Sequence, residues 1–178
     1  GGTQAMIALL LLGIVLLAVL IQLGVPLTWW PMDLPLLVAA YAGLTRGNGW
    51  GLLCGAFGGL LLDALNSPVP GLRMVPLALA GALADSIQPG VNRDQPRLQV
   101  LSVMLLVVVH DGVLALLARA QGLHQGGLWH VLLLYSLPRL AAQALATVPL
   151  FWALGLLVKQ KAFLNSRQRG VQTIRRWP

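Results

Sequence analysis

At 178 residues, 57% hydrophobic and 10% charged, with a mean hydropathy of +0.79, the chain is excluded from the soluble domains, which carry about 25% charged residues. It reads as an integral membrane protein, short enough to be one membrane domain. The net charge is +7, and half of the 12 basic residues (Lys159, Lys161, Arg167, Arg169, Arg175 and Arg176) crowd the end of the chain, with no acid among them.

A spanning helix needs about 20 apolar residues. The first such run is Ala5 to Val25. It lacks a basic leading region, and Gln22-Leu23-Gly24 is a poor small-x-small cleavage site, so it reads as a retained helix rather than a signal peptide. The Gly-Gly start points to Met6 as the natural first residue. Pro26, Trp29, Trp30 and Pro31 end the run, and paired tryptophans suit a membrane–water interface. The second helix, Leu34 to Thr45, is short and opens after Asp33, which is placed to cap it. The third is Gly49 to Leu65 and carries the single cysteine, Cys54. One cysteine excludes an internal disulfide and a cysteine-based metal site, and Cys54 reads as small packing filler. The fourth is Gly71 to Ile87, with a kink expected near Pro76. The fifth is Leu98 to Ala118. The last apolar stretch, Leu128 to Val158, is too long for one upright span. Pro138 divides it into a surface segment and a sixth helix from Leu137 to Val158. Residues 1–158 are thus one transmembrane domain of about six helices, and 159–178 a basic tail.

Lys and Arg in short loops set orientation. With the N-terminus inside, Arg46, Arg93, Arg97 and the six tail residues lie on the inner side. Only Arg73 and Arg119 lie outside, with Arg139 near the outer end of the sixth helix. Both termini are therefore expected in the cytoplasm. The tail most simply meets the anionic inner leaflet, at roughly 1 kcal/mol per basic residue. A cytoplasmic protein partner ranks second, and nucleic acid last.

Gly51, Gly55, Gly59 and Asp63 recur every four residues, making one ridge on the third helix. A ridge without side chains lets another helix come close. We expect Gly51, Gly55, Gly59, Asp63 and the turn residues Asn66, Ser67 and Gly71 to receive a partner's helix. Asp63 could instead pair with Arg73 or cap the turn. Asp85, near Arg93 and Arg97, reads as a solvated ion pair. His110 and Asp111 fall within the hydrocarbon on the fifth helix, where an ionisable group is costly and faces the bundle interior or a partner. Arg139 falls at a similar height on the sixth. An Asp111–Arg139 lock between the two helices is expected, with a proton relay or ligand contact through His110, or an interface to another subunit, as the other readings. No metal motif, phosphate loop, nucleophile elbow or catalytic carboxylate pair is present, and Gly47-x-Gly49-x-Gly51 lacks the βαβ unit a dinucleotide site needs. No cofactor and no catalytic residue are expected.

The order of these features resembles the MreD family of bacterial rod shape-determining membrane proteins. PMDLPLLVAAYAGL, an inner Arg loop and GLLCGAFGGLLLDALNSPVPGLRMVPLALAGALAD are similar to that family's core. Asp63 matches its third-helix aspartate, Gly71 its loop glycine, Asp111 in VVVHD an acid of its fifth helix, and Pro149 a proline of its sixth. Tyr41-Ala42 departs from the usual Tyr-Trp. The likeness covers about Pro31 to Val158, with Gly51 to Gly81 the specific part. It implies a non-enzymatic inner-membrane scaffold of the cell-elongation machinery that makes lateral peptidoglycan. Implied partners are MreC, through it RodA and a class B penicillin-binding protein, and MreB filaments. The implied fold is similar to the six-helix substrate-binding subunits of ECF vitamin transporters. Such a transporter subunit is the alternative function, and it would need an outward pocket with several convergent polar groups. Asn66, Ser67 and His124 are its chief candidates.

Overall fold

The computed structural model describes residues 2–24, 32–66, 69–90, 95–122 and 137–174. These form six α-helices and no strand: α1 (Gly2–Gly24), α2 (Leu34–Arg46), α3 (Trp50–Asn66), α4 (Met74–Ile87) followed by a 3-10 turn (Gln88–Gly90), α5 (Pro96–Ala120) and α6 (Leu137–Ile174). The spans Gln4–Gly24, Pro96–Ala120 and Leu137–Leu157 are long and apolar enough to cross a membrane, whereas α2, α3 and α4 are apolar but shorter.

The short α2 is the hub. Every residue from Pro35 to Leu44 is buried, and α2 touches each of the other five helices. Lipid tails are as apolar as leucine, so close packing rather than water exclusion must hold such a helix in place. Ala39, Ala40, Ala42 and Gly43 supply the small surface that close packing needs. A Cβ on Gly43 would press on Ala84 of α4. On another side, Tyr41 meets Phe151 of α6 edge to face at 5.3 Å, a favoured aromatic geometry. α1 is peripheral. It buries Leu11, Val15, Ala18, Val19 and Gln22 and leaves Leu9, Leu16, Leu17 and Leu20 exposed.

α2 passes into α3 through Gly47, Asn48 and Gly49, all with positive φ (60°, 58° and 84°). Three successive residues at positive φ reverse the chain at once, a conformation glycine adopts without steric cost, which explains why this connection is glycine-rich.

Two expectations from sequence need correction. The fourth helix starts at Met74, not Gly71, because Gly71–Arg73 form a turn with Gly71 at φ 88°. Pro76 therefore falls in the first turn of α4, where its missing N–H costs nothing, rather than at a mid-helix kink. The second correction is at the end of the chain. α6 runs unbroken past Val158 to Ile174, so much of the basic tail is a continuation of that helix. The surface segment expected before Pro138 and the interfacial Trp29 and Trp30 lie outside the described residues.

Candidate functional site

Two polar assemblies organise the bundle. The first is a junction of α2, α5 and α6. Arg139 of α6 donates through Nη1 to Asp111 Oδ1 of α5 at 2.9 Å and through Nη2 to Asp33 Oδ2 at 3.0 Å. One guanidinium thus bridges two buried carboxylates, whose side chains are 7% and 3% exposed. Charge-assisted hydrogen bonds of this kind are short and about twice as strong as neutral ones. Asp33 has a second duty, since its Oδ1 accepts from Leu36 N–H at 3.2 Å and caps α2. Nearby, Gln22 of α1 accepts from Leu34 N–H at 3.1 Å, and Gln143 Nε2 donates to the Asp33 carbonyl at 3.4 Å. His110 Nδ1 lies 3.0 Å from Asp111 Oδ1, a contact that requires the proton on Nδ1. Two buried atoms, His110 Nε2 and Gln143 Oε1, have no partner among the described residues.

The expected Asp111–Arg139 lock is therefore present, with His110 beside it. Sequence reasoning missed that Asp33 completes it and that Gln22 and Gln143 join. A signal existed: both glutamines lie within predominantly apolar helices, where an amide needs a partner.

The second assembly is the α3–α4 pair. The ridge Gly51, Gly55 and Gly59 is covered from within the chain. Its positions face α4 of the same chain. A Cβ on Gly51 would overlap the carbonyl of Gly81, one on Gly55 the carbonyl of Leu77, and one on Gly59 the backbone of Met74. The space that sequence assigned to another protein's helix is filled, because α4 carries its own matching row, Leu77, Gly81 and Asp85, at the same four-residue spacing.

The ends of this pair are pinned reciprocally. Asp63, at the end of α3, accepts from the N–H groups of Gly71, Arg73 and Met74, each at 2.9 Å. Asp85, at the end of α4, accepts from Gly51 and Leu52 N–H at 3.0 and 3.1 Å. Each helix thus supplies the carboxylate that caps the start of the other, where free N–H groups and the helix dipole favour negative charge. Asp63 thus caps the turn, the local role that was one of its expected readings. Asp85 caps α3, a role the sequence did not suggest, and Arg93, one of the two arginines expected near it, lies outside the described residues.

Ser67, Arg93, His124, Arg175 and Arg176, and the side chains of Asn66, Lys159, Lys161, Arg167 and Arg169, lie outside the described residues. Among the described residues, no group of three or more His, Cys, Asp or Glu could hold a metal ion. Comparison with protein-family models, with curated proteins and with solved structures returns no match.

Proposed function

We propose that this chain is a non-enzymatic membrane scaffold of the kind its resemblance to MreD implies. It would cross a bacterial inner membrane six times with both termini in the cytoplasm. It would bind MreC, and through MreC the RodA glycosyltransferase with its class B penicillin-binding protein, and it would meet MreB filaments on the inner side. The basic stretch from Lys159 lies against anionic lipid in this reading.

One observation carries the scaffold reading beyond the order of motifs. All four described aspartates hold helices together. Asp33 and Asp111 share Arg139, while Asp63 and Asp85 cap α4 and α3. Carboxylates committed to locking helices favour a rigid platform over acid–base chemistry. The glycine ridge is closed by α4, so the partner's contact belongs on an outward face of α1, α5 or α6.

The test is photocrosslinking from the full chain in native membranes, with the reactive side chain placed in turn at the exposed positions Leu16, Leu105 and Trp152. The expected result is a crosslink to the membrane segment of MreC from one of these faces. Absence of MreC from all three, together with a small molecule retained through purification, would overturn the scaffold in favour of the transporter subunit.

A further inference from the structure

The outward apolar surface differs in height around the bundle. On α6, exposed large apolar residues run from Leu137 to Leu157, and on α5 from Leu98 to Leu116. At 1.5 Å per residue these bands are about 30 and about 27 Å tall, close to the hydrocarbon thickness of a bilayer. On α3 the exposed band runs only from Leu52 to Leu65, and on α4 from Val75 to Leu83. Those bands are about 20 and about 12 Å tall.

The short wall cannot lengthen by sliding. Asp63 and Asp85 fix its two ends, each bonded to backbone N–H groups of the neighbouring helix. Around them stand the half-buried Arg73 and the exposed Ser86. Drawing these groups into hydrocarbon costs kilocalories per charge, whereas thinning a bilayer costs a fraction of a kilocalorie per ångström. The equally short α2 raises no such conflict, because protein surrounds it from Pro35 to Leu44.

We propose that the α3–α4 face contacts a locally thinned bilayer, and that this side of the molecule selects short-chain lipid while the α5–α6 side does not. The inference rests on the chain being membrane-embedded and is independent of any partner.

The experiment compares two single-tryptophan versions of the full chain reconstituted in phosphatidylcholine. In one, all six native tryptophans are phenylalanine and Leu60→Trp reports from α3. In the other, only Trp152 is kept and reports from α6. Quenching by brominated lipid, in competition with dimyristoleoyl or dierucoyl phosphatidylcholine, gives the relative affinity at each face. At Leu60→Trp the short-chain lipid should bind about threefold more strongly than the long-chain one, and at Trp152 it should show no such preference. The same chain-length dependence at both positions would overturn the proposal. So would absence of quenching at Leu60→Trp, which would mean that protein, another chain or a second copy, covers that face. Leu79→Trp, on the exposed side of α4, gives the same readings if Leu60→Trp fails to fold.

Discussion

Gly51 of α3 and Gly81 of α4 cross face to face, each with its carbonyl oxygen standing where a Cβ of the other would be. Neither position has room for a methyl group unless the helices separate. Backbone contact at this crossing is the basis of the α3–α4 pair, and Gly55 against Leu77 extends it by one turn.

Gly55→Ala is therefore expected to lower stability by about 2 kcal/mol, since its methyl meets a carbonyl that cannot rotate aside. Gly13→Ala and Gly112→Ala, in helices where nothing lies within 4 Å of the added carbon, should be neutral or stabilising, by up to about 1 kcal/mol. Thermal unfolding of the three variants in detergent checks the contrast. Equal behaviour would mean that the helices are not in backbone contact.

Arg139→Gln should be the most damaging change at the polar junction. It leaves Asp33 and Asp111 buried without their shared cation, at a cost of about 3–5 kcal/mol. Asp33→Asn or Asp111→Asn each leaves Arg139 one carboxylate and should cost less. The order of the three melting temperatures in detergent is the measurement, with Arg139→Gln lowest.

The two capping aspartates predict unequal losses. Asp63→Ala removes three hydrogen bonds from a buried carboxylate and should cost about 2 kcal/mol, whereas Asp85→Ala removes two from a half-buried one and should cost about 1 kcal/mol. Amide hydrogen exchange separates the roles. Gly71, Arg73 and Met74 should exchange faster in the first variant, and Gly51 and Leu52 in the second.

Gln143→Leu should be neutral or mildly stabilising, within about 1 kcal/mol. Gln143 is fully buried, donates one long hydrogen bond at 3.4 Å and has no partner for its Oε1 among the described residues. Removing an unsatisfied amide offsets the loss of a weak bond. A clear fall in melting temperature would mean that Oε1 is bonded in the membrane.

The helices themselves were legible because long apolar runs and prolines mark them. Asp111 and Arg139 were legible as a pair because opposite charges at one height in lipid leave each other few alternatives. Asp33 was legible only as a cap, a local role set by the residues that follow it. Its contact with Arg139 spans 106 positions, and no local pattern encodes that distance. The glycine ridge showed a smooth face but not what fills it. Finding the occupant required reading α4 for a complementary row in antiparallel register, and Leu77, Gly81 and Asp85 supply one.

The crossed capping of α3 and α4 also constrains how the chain is made. Neither helix has its first N–H groups satisfied until the other is in place, and neither is long enough to be a stable solitary span. The pair should therefore leave the translocon as one hairpin. A nascent chain halted before Asp85 has emerged from the ribosome would hold α3 loosely, open to extraction or proteolysis until its second half arrives.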